Sequence, residues 1–187
     1  TPDGPQRIRG LAGSGKTIVL ALKAAYLAAT KPGWRIAVVF YSRALDQQFR
    51  DLIRRFYFEQ KNDEPDWSRI SVMPAWGSPS SPGLYAEIAS ANGQTPRTFI
   101  WARQTFGQDL AFQGTCDELM GLVKGKEIEG PYDAILIDEA QDLPVSFFRL
   151  AYGFCREPKR IAFAYDELQT LSEASMPAVG ELFGVNG

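Results

Sequence analysis

The chain has 187 residues, 20 of them Lys or Arg and 22 Asp or Glu, which gives a formal net charge of −2. This length and a hydrophobic share of 45% suit one domain built around one core. Two cysteines and no histidine exclude a disulfide framework, a plausible zinc site and His-dependent hydrolases. The acidic balance argues against nucleic-acid binding over the whole surface, although a local basic groove stays open. No apolar run approaches the ~18 residues of a membrane helix, so we expect a cytoplasmic protein with no membrane partner.

The first half of the chain alternates short apolar runs with segments of helical period, which predicts βα units around a mostly parallel sheet. A strand is predicted over residues 8–11, followed by a glycine cluster and an alanine-rich helix over 17–29. Residues 35–41 (RIAVVFY) predict a strand that is covered on both faces. An amphipathic helix over 44–58 and a short strand over 70–73 complete this half.

The second half begins with a stretch in which the alternation is less regular. Residues 76–131 are interpreted as an insertion of weaker sheet character, with a loop at 77–83 and helices near 84–91 and 113–123. The remaining predicted elements are strands at 134–138 and 160–165 and a helix between them at 145–154. We expect a single domain over 1–187.

Residues 10–17 (GLAGSGKT) match the pattern G-x-x-x-x-G-K-[ST] at every fixed position, between a predicted strand and a predicted helix. Glycines let the backbone curl so that successive N–H groups face an anion such as a nucleotide phosphate. The lysine can reach the outer phosphates, and the threonine hydroxyl can bind Mg²⁺. The predicted nucleotide-binding residues are Gly10, Ala12, Gly13, Ser14, Gly15, Lys16 and Thr17.

Asp138 and Glu139 stand at the carboxyl end of the strand predicted over 134–138, at the sheet edge where open α/β folds bind ligands. An aspartate there can hold the Mg²⁺ that bridges the β- and γ-phosphates, and the adjacent glutamate can orient or deprotonate the attacking water. The pattern therefore predicts nucleotide hydrolysis, with Glu139 and Lys16 catalytic and Thr17 and Asp138 as metal ligands.

Residues 10–17 and 138–142 (DEAQD) together resemble the first RecA-like domain of a superfamily 1 helicase of the UvrD/Rep type. Residues 39–44 (VFYSRA) are similar to a family segment of the form T-F-T-N-K-A, which touches single-stranded DNA. Residues 75–77 (AWG) lie where the family has a Thr-aromatic-His turn. Residues 165–169 (YDELQ) resemble its G-D-x-x-Q segment, with tyrosine in place of the glycine. The order and spacing hold over roughly residues 7 to 170.

The resemblance implies an α/β fold of the P-loop NTPase (RecA-like) class, with a parallel sheet and helices on both faces. It implies an ATP-dependent DNA helicase or single-stranded DNA translocase that uses ATP and Mg²⁺. It assigns Gln169 to sensing the γ-phosphate, and it assigns four residues to nucleic-acid contact: Tyr41, Ser42, Arg43 and Trp76.

The chain contains nothing similar to the second RecA-like domain, which in this family closes over the nucleotide and supplies arginine fingers. An arginine finger contributes about 10³ to 10⁵ in rate, so this chain alone is expected to bind Mg-ATP and hydrolyse it slowly. We therefore expect a fragment of a longer protein, or a natural half whose partner is another chain.

Two alternatives stay open at this stage. The chain can instead be a P-loop NTPase that acts on RNA, or a nucleotide-dependent switch or docking module without unwinding activity. Phe40 suits core packing as well as base stacking, and the arginines at helical spacing, Arg50, Arg54 and Arg55, suit a solvated helix face. Cys116 and Cys155 are interpreted as buried small hydrophobic residues.

Overall fold

The computed structural model describes residues 3–11, 13–166 and 177–184, which form an α/β fold with five parallel strands. Their elements in chain order are β1 (Gln6–Gly10), α1 (Lys16–Thr30), β2 (Ile36–Phe40), α2 (Leu45–Lys61), β3 (Ile70–Pro74), α3 (Leu84–Ala91), α4 (Phe99–Phe106), α5 (Ala111–Leu122), β4 (Ala134–Ile137), a 3₁₀ turn (Ala140–Asp142), α6 (Val145–Phe154), β5 (Ile161–Asp166) and α7 (Val179–Phe183).

The strands lie in the order β1-β5-β4-β2-β3, and every neighbouring pair is parallel. Helices α1 and α2 pack on one face of the sheet, while α3, α5 and α6 pack on the other. The chain crosses from β1 to β2 over the first face and returns from β4 to β5 over the second. Loops that follow neighbouring strands therefore diverge at the carboxyl edge of the sheet, and this divergence opens a crevice there.

Two of the three inner strands, β2 and β4, are buried along their whole length, as their continuous apolar runs predict. All five residues of β2 and all four of β4 are inaccessible to solvent because helices cover both faces of the sheet. The apolar core is consequently divided in two by the sheet. This rigid centre fixes the positions of the loops that follow both strands.

The region predicted as an insertion, 76–131, is helical and packs against the second face of the sheet. Its predicted loop is confirmed: Ser78 and Ser81 pair across it, and Gly77 and Gly83 lie so close that a Cβ on either would overlap the backbone of the other. Helix α3 has the bounds that the sequence predicts.

Helices α4 and α7 were not predicted. Helix α4 has only eight residues, five of them aromatic or β-branched, so its helix propensity is weak. It begins where the hydroxyl of Thr98 accepts a hydrogen bond from the Trp101 amide at 3.3 Å. Helix α7 has five residues, too few for a periodic pattern. In the described parts of the chain, no helix combines the length and the apolar character that a membrane crossing requires.

Candidate nucleotide site

The glycine-rich loop connects the edge strand β1 to the N-terminus of α1. Gly13 and Gly15 have φ angles of 73° and 83°, a left-handed backbone that favours glycine, and the Ser14 amide donates to the Leu11 carbonyl at 3.0 Å. The loop thus folds back over the start of the helix, where unpaired amides favour an anion. Ala12, predicted to bind nucleotide, lies outside the described residues.

Lys16 is the first residue of α1, and its side chain turns back across the loop. Its Nζ donates hydrogen bonds to the carbonyl oxygens of Gly10 at 3.0 Å and Leu11 at 2.7 Å. The ammonium group therefore lies at the mouth of the loop. A phosphate oxygen is a stronger acceptor for this group than a neutral carbonyl.

Thr17 and Asp138 are brought together from positions 121 residues apart. The Thr17 hydroxyl donates to Asp138 Oδ2 at 2.6 Å, and Asp138 is only 3% exposed. Asp138 follows β4, and its amide donates to the Val39 carbonyl at 2.8 Å, which continues the sheet pairing by one residue. A hydroxyl and a carboxylate are oxygen ligands suited to Mg²⁺.

Glu139 is held in a left-handed conformation, with φ 53° and ψ 38°, directly after the buried aspartate. Its amide donates to Asp138 Oδ1 at 2.9 Å, and its Oε2 accepts a hydrogen bond from the Ser42 amide at 2.7 Å. Burial raises the pKa of the Glu139 carboxyl and the charges of Asp138 and Asp142 add to this, while the amides of Ser42 and Tyr41 oppose the rise.

These groups surround one cavity of about 380 Å³ at the carboxyl edge of the sheet. Its walls include residues 13–17, from the glycine-rich loop and the first turn of α1, together with Asp138, Glu139, Gln141 and Asp166. Asp166 ends β5 and is 6% exposed, and its amide donates to Gln141 Oε1 at 3.2 Å. Asp166 and Gln141 were not predicted as site residues, although the position of Asp166 at the end of a predicted strand could have identified it.

A second cavity of about 240 Å³ lies beside the first and is rich in aromatic side chains. Tyr41 and Trp76, both predicted to contact nucleic acid, line it together with Phe99 and Phe112. Trp76 stacks on Phe112 with a centroid distance of 4.8 Å, and its indole N–H donates to the Arg97 carbonyl at 3.1 Å. We call this cavity the aromatic groove. Phe99 and Phe112 were not predicted as site residues because they lie in the helical insertion, outside the segments that resemble the helicase family.

The other predicted contact residues lie in different surroundings. Arg43 is exposed in the turn that precedes α2, and the Ser42 amide is bonded to Glu139. Phe40 is fully buried and stacks on Phe49 at a centroid distance of 5.8 Å, which confirms the core-packing interpretation. Gln169 lies outside the described residues.

The structure confirms that the arginines of α2 lie on a solvated helix face and that the cysteines are buried. Both cysteines, Cys116 and Cys155, are free and buried. The three arginines of α2 each pair with a nearby carboxylate at partly exposed positions: Arg50 with Asp46, Arg54 with Glu64 and Arg55 with Glu59. This pattern is typical of a solvated helix face.

Comparison with known proteins adds no family assignment. No protein-family model matches the chain, and no curated protein shows significant similarity to it. The functional argument therefore rests on the geometry of the two cavities.

Proposed function

We propose that this chain is the ATP-binding and ATP-hydrolysing domain of a cytoplasmic superfamily 1 DNA helicase or single-stranded DNA translocase of the UvrD/Rep type, with a RecA-like fold. The observation that carries the proposal is the 2.6 Å contact between Thr17 and Asp138 in a cavity walled by the glycine-rich loop. A hydroxyl from the first turn of α1 and a buried carboxylate at the end of β4 meet where Mg²⁺ would be held against a nucleotide.

The residues present fit Mg²⁺. In nucleotide sites this ion is held by one or two protein oxygens, with phosphate oxygens and waters completing its octahedron, so a cluster of carboxylates is not required. Thr17 and Asp138 would hold it, and the ion would neutralise charge on the nucleotide phosphates. The near-complete burial of Asp138 supports this assignment, because a buried carboxylate is costly without a cation partner.

The chain's own groups would then perform two tasks. The loop amides and Lys16 would bind and orient the phosphates, and Glu139 would accept the proton of the attacking water. Burial gives Glu139 a raised pKa, which makes it a better proton acceptor than an exposed glutamate. A second RecA-like domain, in the parent chain or in a partner, would supply the arginines that this mechanism still requires.

The aromatic groove supports the nucleic-acid part of the proposal. Single-strand binders stack bases on aromatic rings, a contact worth about 1–3 kcal/mol per base. Tyr41 is 49% exposed and Phe99 is 50% exposed, so both rings present free surface in the groove. Arg43, exposed in the turn that follows Tyr41, can contact the backbone phosphates.

The nucleotide part is tested by equilibrium binding of a fluorescent ATP analogue with Mg²⁺. Lys16→Ala should weaken binding at least about tenfold, because it removes the charge that faces the outer phosphates. Lys31→Ala makes the same change at the other end of α1, outside the cavity, and should bind as the wild type does. Equal affinities for the two variants, or no binding by the wild type, would refute the proposal.

The choice of polynucleotide is tested by fluorescence anisotropy at one fixed salt concentration, with oligo(dT) compared to oligo(U). Tighter binding of oligo(dT) supports the DNA motor. Equal binding of both favours an NTPase that also acts on RNA. Binding of neither, with ATP binding intact, favours a switch or docking module.

A further inference from the structure

The nucleotide cavity and the aromatic groove share a wall. Gln141 lines both cavities; its Oε1 accepts from the Asp166 amide on the nucleotide side, and its Nε2 donates to Asp142 Oδ2 at 3.0 Å on the groove side. A change in either cavity therefore acts on side chains that also border the other.

A shorter connection runs through the backbone after β2. Tyr41 presents its ring to the groove, 6.5 Å from the Phe112 ring, while the amide of the next residue, Ser42, donates to Glu139 Oε2 at 2.7 Å. The Tyr41 amide also stabilises the Glu139 carboxylate. The amide bonded to the proposed catalytic carboxylate thus belongs to the residue directly after the one whose ring lines the groove.

The strand before this segment is fixed on both sides. The Phe40 carbonyl accepts from the Ala75 amide at 2.7 Å, and the Val39 carbonyl accepts from the Asp138 amide at 2.8 Å. The end of β2 therefore has little freedom, whereas residues 41–42 lie beyond the last paired residue. Their position depends on three contacts: the bond from the Ser42 amide to Glu139, the bond from the Leu45 amide to the Ser42 carbonyl at 3.1 Å, and the contact of the Tyr41 ring in the groove.

We propose that residues 41–42 form a positioning segment that ties Glu139 to the aromatic groove, so that ligand in the groove and the placement of Glu139 are energetically linked. This inference rests on the proposed function, because it takes Glu139 as the base and a polynucleotide as the groove ligand. Linkage is reciprocal: if groove ligand fixes Glu139, then the bond to Glu139 must in turn strengthen ligand binding in the groove.

The experiment compares oligo(dT) affinity in Glu139→Gln and Glu139→Ala, with the full chain and fluorescence anisotropy. Both variants remove the same charge, but glutamine keeps an oxygen that can accept the Ser42 N–H, and alanine does not. The linkage predicts that Glu139→Ala binds oligo(dT) at least about fivefold more weakly than Glu139→Gln, because Tyr41 is no longer held in place before binding.

A second pair changes the other end of the same bond. Ser42→Pro removes the N–H that reaches Glu139, and Ser42→Ala keeps it. Ser42→Pro should therefore bind oligo(dT) at least about fivefold more weakly than Ser42→Ala. Thermal unfolding and binding of the fluorescent ATP analogue identify any variant that fails to fold, and the other pair then decides.

The outcomes separate this inference from the function on which it rests. Equal affinities within each folded pair, with a wild type that binds both ligands, overturn the linkage alone. A wild type that binds the ATP analogue but not oligo(dT) overturns the nucleic-acid role, and the linkage falls with it. Loss of affinity in Glu139→Ala that Glu139→Gln does not share supports the linkage.

Discussion

Glu139 is the residue on which we expect turnover to depend most directly. Glu139→Gln preserves the shape of the side chain but removes the proton acceptor, so single-turnover ATP hydrolysis should fall about 10²- to 10⁴-fold. The affinity for the ATP analogue should change little, since the phosphate-facing groups are untouched. Glu59→Gln, on the exposed face of α2, is the matched control. Retained hydrolysis in Glu139→Gln would assign the base to another group.

The cysteines provide a chemical test of burial at the residue scale. Burial raises the pKa of the Cys155 thiol to about 11 and that of Cys116 well above its usual value. Because the thiolate is the reactive form, alkylation of the folded protein at pH 8 should be more than about 100-fold slower than that of a free thiol. The measurement is iodoacetamide labelling followed by mass spectrometry, with and without denaturant. Rapid labelling of the folded protein would contradict the buried positions.

The site residues differ in how far the sequence could predict them. Lys16 and Thr17 belong to a local pattern of eight residues, and the spacing within this pattern determines where both side chains lie relative to the loop. The bond between Ser42 and Glu139 joins residues 97 positions apart and uses a backbone amide, which every residue except proline carries. No residue type marks such a contact, so only the fold reveals it.

At the scale of elements, the packing of α4 against α5 predicts opposite changes in stability for two glycine-to-alanine variants of α5. A Cβ at Gly114 of α5 would overlap the Phe106 ring at the end of α4, whereas one at Gly121 of the same helix meets nothing. Gly114→Ala should therefore lower the free energy of unfolding by about 1–3 kcal/mol. Gly121→Ala should raise it by about 0.4–1 kcal/mol, because alanine favours the helix.

Chemical denaturation of the two glycine variants measures this difference. Both variants carry the same substitution in one helix, so the intrinsic gain in helix propensity is shared. A Gly114→Ala protein as stable as Gly121→Ala would mean that α4 does not pack on α5 through Phe106.

The elements themselves were predictable to different degrees, for a physical reason. β2 and β4 have to be apolar throughout because helices cover both of their faces, and this leaves a clear pattern in the sequence. Helix α4 is short and has aromatic side chains that contact other rings, such as Phe99 against Trp76. Its formation depends on tertiary contacts more than on its own propensity, so local rules miss it.

At the scale of the whole molecule, the strand order explains why the two proposed ligand sites are neighbours. β5 lies between β1 and β4, so the glycine-rich loop after β1 and the acidic turn after β4 (residues 138–142) approach the cavity from either side of Asp166. β2 lies on the other side of β4, so the Ser42 amide, directly after Tyr41, reaches Glu139. Alternation of strands and helices predicts a parallel sheet, but it does not determine the strand order, because that order depends on long-range pairing.

The strand order also determines how nucleotide binding should affect the stability of the whole fold. A ligand in the nucleotide cavity would contact the segments that follow β1 and β4 and also Asp166 at the end of β5, so unfolding of the sheet must release it. A ligand at 100 times its Kd stabilises the folded state by about 2.7 kcal/mol. For a domain of this size each kcal/mol raises Tm by about 2–4 °C, so saturating Mg-ATP should raise Tm by about 5–11 °C.

Thermal unfolding with and without EDTA tests whether the metal ligands contribute to that shift. If Thr17 and Asp138 hold Mg²⁺ against the phosphates, chelation removes the bridge between α1 and β4 and should cut the shift to less than half. Thr17→Val removes the hydroxyl and should reduce the Mg-ATP shift similarly, while leaving the smaller shift in EDTA unchanged. A shift of equal size in both conditions would mean that the nucleotide binds without engaging the Thr17–Asp138 pair, and the acidic turn would then need another role.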